Sequence, residues 1–195
     1  MKKLIFFALC SSVFFISCNN IDHSKEIKKI DSLYTVIDSI EGKIIKADTA
    51  KIRTVFNEYL NNIGLIKENF NDKKDDSIWK VITTYGIIRK PIKDFLKKYP
   101  DYYDEIKFSR KQLDSLKTDL KNDKIPENKI SEYTKTEADA VNSLMQQVTV
   151  STDVVNARLQ LFDSLNPKVI NVIKKLKKID KKKISVNTKL EGEDD

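Results

Sequence analysis

Glu137 is the carboxylate that the apolar spacing of the chain places on an inner helical seam, four residues after Tyr133. A carboxylate held away from water has a raised pKa, the property a general acid or base needs. Acid–base catalysis of that kind also needs a second carboxylate on a facing helix, and the sequence identifies none. The alternative role for Glu137 is a buried polar residue that fixes helix register by bonding a tyrosine hydroxyl. His23 is the sole histidine and lies beside Asp22 and close to Glu26. A tetrahedral zinc site takes about four ligands, mostly His and Cys. One histidine does not supply them, and it leaves no second histidine for a Ser/His or Cys/His nucleophile pair. Asp72, Asp75 and Asp76 cluster locally, but the EF-hand spacing with its central glycine is absent. The cluster reads as a solvated loop. No catalytic, cofactor-binding or metal-binding residue is assigned.

Two further groups of residues suit contacts rather than chemistry. Trp79, Tyr85, Phe95, Tyr99, Tyr102, Tyr103 and Phe108 concentrate in the middle third. Most fall at helical spacing, which makes core packing their default role. Tyr102 and Tyr103 are adjacent and cannot both face one core, so at least one is expected at the surface. Lys168, Lys174, Lys175, Lys177, Lys178, Lys181, Lys182 and Lys183 crowd one stretch, opposed only by Asp180. A basic amphipathic helix can rest on an anionic lipid surface; it can equally be a solvated helix face. Nucleic acid would suit the charge, but no recognised nucleic-acid-binding motif accompanies the lysines.

The elements that carry these residues read as helices. Gly and Pro number four each and charged residues make up 33% of the chain, which favours helix over strand. Ile27, Ile30, Leu33, Ile37, Ile40 and Ile44 recur at three-and-four spacing and share one helical face. Ile52, Phe56, Tyr59, Ile63, Ile66 and Phe70 continue it after a phase slip near Ala47-Asp48-Thr49. That slip is consistent with a turn capped by Asp48 or Thr49, or with one long helix carrying a stutter. Trp79, Ile82, Tyr85, Ile88, Ile92, Phe95 and Tyr99 form the next face, with a kink or break expected near Arg89-Lys90 because of Pro91. Pro100 is expected to end that segment, and Ile106, Leu113, Leu116 and Leu120 to mark another. Asn122 to Pro126 reads as a turn. A long helix follows through Ile130, Tyr133, Val141, Leu144, Val148, Val155, Phe162 and Leu165, although Val148 to Thr152 alternates like a strand. Asn166-Pro167 predicts an N-cap and restart, followed by the short stripe Val169, Ile170, Ile173, Leu176 and Ile179. The expected fold is all-α: an elongated antiparallel helical bundle or set of coiled-coil hairpins.

The first residues form a separate unit. Met1-Lys2-Lys3 is charged, Leu4 to Ile16 is apolar, and Ser17-Cys18 follows. An apolar run of about 13 residues is too short to cross a bilayer, which takes roughly 20. Charge followed by a short apolar run reads as a signal peptide. Ordinary signal peptidase prefers small residues at the last and third-last positions before the cut. Phe15 or Ile16 would occupy the third-last place here. The run Phe15-Ile16-Ser17-Cys18 instead resembles the processing site of a bacterial lipoprotein: an apolar residue, a tolerant position, a small residue and the cysteine. The resemblance covers about the first 20 residues. It implies that the Cys18 sulfur carries a diacylglyceryl group, that cleavage makes Cys18 the first residue, and that fatty acyl chains such as palmitate hold the protein to a membrane. One acyl chain anchors only reversibly and two or more hold stably.

These readings divide the chain into a signal peptide over 1–17, a lipidated tether over 18–24, a helical domain over 25–183 and a disordered acidic tail over 184–195. Cys10 leaves with the leader, so Cys18 has no partner for an internal disulfide and packing must stabilise the chain. The formal charge of +7 falls to +5 when Lys2 and Lys3 are removed. The expected function is a non-catalytic protein-interaction or scaffold lipoprotein of the cell envelope. The alternatives are a small-ligand binder or enzyme with a carboxylate site between helices, and an immunity-type lipoprotein that neutralises a toxin. Asn19 stands where some lipoproteins retained at the inner membrane carry aspartate. The expected location is therefore the outer membrane. Asn19-Asn20-Ile21-Asp22 lacks the dense acidic run that can mark surface export, so the body is expected to face the periplasm. A protein partner is expected, and no nucleic acid.

Overall fold

The structure is a computed structural model that describes residues 22–70 and 76–190, with side chains described as far as Lys178. The leader, Cys18, Asp72, Asp75, the side chains of Lys181, Lys182 and Lys183, and the last residues 191–195 lie outside the described residues. Among the described residues there are five helices and no strand: α1 (Ser24–Lys46), α2 (Thr49–Asn69), α3 (Asp76–Gly86), α4 (Arg89–Lys121) and α5 (Glu127–Leu190). The fold is all-α, and its packing is that of a helical bundle.

Side-chain pairs set the register. Asp31 meets Lys117, Tyr34 meets Asp114, and Asp38 meets Arg110, so α1 and α4 run antiparallel. Further along, Arg53 and Asn57 of α2 share a surface with Lys93 and Lys97 of α4. Asn62 of α2 reaches Asn166 of α5, while Leu33 of α1 lies by Thr134 and Ala138 of α5. α5 therefore runs parallel to α1 and α2, and antiparallel to α3 and α4. The molecule is three rods side by side: α1–α2, α3–α4 and α5. At 1.5 Å per residue, the first two rods are each roughly 70 Å long.

The seams follow a seven-residue spacing. On α5, Thr134, Val141, Val148, Val155, Phe162, Val169 and Leu176 are all buried. On the second rod, Ile78, Tyr85, Ile92, Ile106, Leu113 and Leu120 are buried in the same phase, with half-buried Tyr99 at the intervening position, straight through the gap between α3 and α4. Sequence reading placed Trp79 and Tyr133 on the inner faces. Trp79 is 41% and Tyr133 44% exposed, and their neighbours Ile78 and Thr134 are the buried residues instead. Seven-residue phasing selects one of two adjacent apolar positions, which three-and-four counting from a single residue does not.

The first rod is two helices. Asp48 caps α2, its side chain accepting from the Lys51 N–H at 3.0 Å. The apolar phase shifts by one residue across this break, from Ile30, Ile37, Ile44 to Ile52, Tyr59, Ile66. The α3–α4 break falls at Ile87-Ile88, and Pro91 sits in the first turn of α4, where its missing N–H has no helical partner to lose. Val148 to Thr152 is helical.

Three sequence expectations are corrected. Pro100 lies inside α4 and does not end it. The residue is exposed, and buried Phe95 and Tyr102 hold the helix on either side. Pro167 lies inside α5 and starts no new helix. Its expected cap, Asn166, uses its side chain to bond other rods. Finally, the α5 backbone runs to Leu190, past Ile184, where the tail was expected to begin. The first stop signal after Ile184 is Gly192, and nothing before it breaks a helix.

Leu113 is fully buried at the α4 seam. Leu113→Ala should lower unfolding stability in urea by about 2–5 kcal/mol. Pro167→Ala restores an N–H donor in mid-helix at an exposed position and should raise stability by up to about 3 kcal/mol. No gain would mean that the proline fits a bend the bundle requires.

Candidate functional site

The residues singled out for chemistry do not converge. His23 sits at one end of the bundle, 8% exposed, with Nε2 3.0 Å from Oδ1 of Asp123 in the α4–α5 turn. Asp123 has φ of +50°, a left-handed conformation that Asp tolerates at a helix C-terminus. The pair fastens the start of α1 to that turn. Beside it, the Ser24 N–H bonds the Asp22 carboxylate at 2.9 Å and holds its pKa below the usual range. Glu137 is half-buried on α5, and burial pushes its pKa up. Tyr133, one turn before it, is 44% exposed and faces solvent. The described part of the acidic cluster is Asp76, in the first turn of α3. Among the described residues no three His, Cys, Asp or Glu side chains stand together as a metal site requires.

A polar layer that sequence reading missed crosses the core. Asn62 of α2, 3% exposed, donates from Nδ2 to Oδ1 of Asn166 at 2.9 Å and to the Tyr85 hydroxyl at 3.3 Å. The Tyr85 hydroxyl donates to the same Asn166 oxygen at 3.2 Å. Asn166 Nδ2 donates to Glu58 at 2.7 Å. Donors and acceptors match all along this chain, and it joins all three rods at one level. Burial pushes the Tyr85 hydroxyl pKa up to about 12. The Tyr85 ring lies 5.0 Å from Tyr59 and 5.9 Å from Phe162, so the polar layer rests on an aromatic one. The available sequence signal was Asn62 at a seam position, three residues after Tyr59 and four before Ile66.

An open groove of about 820 Å³ lies between α4 and α5. Phe95 and Tyr102, both buried, form its floor, and Pro91, Val150 and Val154 add apolar walls. Val150 is 56% and Val154 38% exposed, one helical turn apart. Lys90, Lys97 and Lys98 rim it against Asp94 and Asp101. Lys90 bonds Asp94 at 2.5 Å and holds that carboxyl below its usual range. Lys93 and Arg53 extend the basic surface around α4 toward α2. Gln146, Gln147 and Ser151 complete the groove's α5 side. Of the aromatics, Tyr102 is buried and Tyr103 lies at the surface, as their adjacency required, with its hydroxyl 3.0 Å from that of Tyr99. Phe108 is 60% exposed.

No protein-family model, curated protein or solved structure matches this chain.

Two outcomes test these assignments. The unfolded chain releases a tyrosine proton near pH 10, while folded Tyr85 keeps it to about 12. Stability therefore falls as pH rises from 10 toward 12. Tyr85→Phe should cost about 1–2 kcal/mol at neutral pH and make that alkaline decline shallower when unfolding is followed through the window. Glu137 carries a raised pKa, so its ionisation opposes folding at neutral pH. Glu137→Gln should leave helicity intact and raise neutral-pH stability. The gain should vanish once acid protonates the wild-type carboxyl.

Proposed function

We propose that the chain is a membrane-anchored envelope lipoprotein whose helical rod serves as a non-catalytic protein-interaction or scaffold module. The observation that carries this reading is the α4–α5 groove with its apolar floor, exposed Val150 and Val154, and lysine rim. A three-rod bundle offers such a groove to a further helix without unfolding, because the groove walls are already fixed by the seams beneath them. The rim favours a partner segment with acidic flanks.

The end of the bundle supports the tether. The chain enters the packed body at His23, five residues after Cys18. A lipid at Cys18 would thus hold the rod by the end where His23 grips Asp123. The groove begins about twenty residues into α5 from that end, which stands it roughly 30 Å away along the rod. In this reading the body positions a binding face at a set height above the bilayer. The leader supports the envelope, Asn19 the outer membrane, and the lack of a dense acidic run over Asn19-Asn20-Ile21-Asp22 the periplasmic side.

Chemical crosslinking in intact cells, followed by capture and mass spectrometry, tests the proposal. Wild type should trap a specific partner. Cys18→Ala should leave the salt-washed membrane fraction and lose the partner. Val150→Glu with Val154→Glu should stay in the membrane and lose it too. Unchanged capture by the groove variant would remove the groove from the reading, and a Cys18→Ala protein that stays membrane-bound after a high-salt wash would remove the anchor.

A further inference from the structure

The lysine-rich end of α5 stands at the opposite end of the rod from His23. The rods' register sets Val172 and Leu176 of α5 against Ile78, at the start of α3, where these three form a small apolar cluster of their own. His23 and the α4–α5 turn lie at the other end, roughly 70 Å away along the rods. Beyond Leu176 the α5 backbone continues to Leu190, past the last buried side chain described. Lys174, Lys175, Lys177 and Lys178 are exposed, and none has an ion-pair partner among the described residues.

From this placement we infer that the basic end of α5 docks on an anionic lipid surface other than the one that holds Cys18. The inference rests on the proposed anchor for the words "other than"; the lipid contact itself does not. As far as Leu176 the apolar face of α5 is used up, because Val169, Val172, Ile173 and Leu176 are buried in the bundle. The contact made by Lys174, Lys175, Lys177 and Lys178 is therefore electrostatic adsorption. The segment 168–183 contains eight lysines and no arginine. Lysine acts as a compact point charge, whereas the planar fork of arginine suits fixed, bidentate recognition. A run of point charges without a fork suits a fluid, diffuse array of headgroups better than a shaped acidic protein. A rod held at one end and basic at the other spans two surfaces.

The test uses the mature chain from Cys18 to Asp195, whose single cysteine is Cys18. In one arm, Cys18→Ser protein is sedimented with phosphatidylcholine vesicles with and without phosphatidylglycerol. It should bind only the anionic vesicles and be released by salt, since attraction beyond about 8 Å is screened at physiological ionic strength. Replacing Lys174, Lys175, Lys177 and Lys178 with Gln should weaken binding roughly tenfold or more. Replacing Lys90, Lys93, Lys97 and Lys98, midway along the rod, should change it little. Equal binding to neutral vesicles, equal loss in both lysine sets, or binding to duplex DNA but not to vesicles would each overturn the lipid contact.

In the second arm, the Cys18 thiol is coupled to a maleimide lipid in neutral vesicles. Added anionic vesicles should then cluster with them, read as turbidity, and the α5 lysine variant should not support this. Anionic binding without clustering overturns the two-surface geometry. Unlipidated Cys18 in cells would overturn the anchor instead, and neither vesicle arm depends on that chemistry.

Discussion

The structure depends on α5 staying in one piece. Each of the other helices packs on it, while the first rod is broken at Ala47-Asp48 and the second at Ile87-Ile88. A short helix alone is marginal in water, because nucleation costs several fixed dihedral angles for one hydrogen bond. α3, with 11 residues, holds its place by laying Ile78 and Tyr85 on the α5 seam and Tyr85 against Asn62 and Tyr59 of α2. Pro167 is the weak point of that spine, and the region around it is where the polar layer binds hardest. Asn166 bonds Asn62, Tyr85 and Glu58, so the residue next to the missing helical hydrogen bond is tied to both other rods.

The breaks and the seams are matched. The first rod shifts its apolar phase by one residue between Ile44 and Ile52. At the same level α5 changes its second row of inner residues. Leu144 stands three residues after Val141, whereas Thr152 stands four after Val148. A continuous helix can move its contact stripe by one position, because four residues overshoot a turn slightly where three undershoot it. The broken rod makes the same change by stopping, capping with Asp48 and starting again. The second rod has no shift to absorb and keeps its seven-residue phase through its own break. Polar residues confer what such uniform seams lack. Apolar heptads tolerate sliding by a whole repeat, and a buried Asn–Tyr–Asn layer penalises every register but one.

A rod of this kind separates its ends. One end holds the His23–Asp123 latch and the entry of the chain, and the other holds the lysine-bearing end of α5. The groove between α4 and α5 lies between them, on a face that the first rod does not cover. Surface ion pairs such as Arg110 with Asp38 and Glu41, each at 2.7 Å, line the α1–α4 flank. They contribute little stability individually, in the range of about 0–1 kcal/mol. Their effect is on pairing, since they favour this antiparallel alignment over a shifted one.

The sequence by itself determined the helices, because three-and-four apolar spacing has no other regular solution. Scarce glycine and proline, the turn at Asn122 to Pro126, and the surface place of one of Tyr102 and Tyr103 were equally legible. They depend on neighbours in the chain alone. Tertiary structure decided what depends on partners far away in sequence. Pro100 and Pro167 are local stop signals, and packing on both sides carried the helix through them. Asp48 and a stutter were equivalent locally, and the bundle took the cap. Asn62, Tyr85 and Asn166 form one layer only because three rods bring positions more than a hundred residues apart to the same level. The α4–α5 groove and the separation of His23 from the basic end of α5 likewise belong to the register. Spacing along one helix cannot encode register, because it is set by which side chains on two helices satisfy one another.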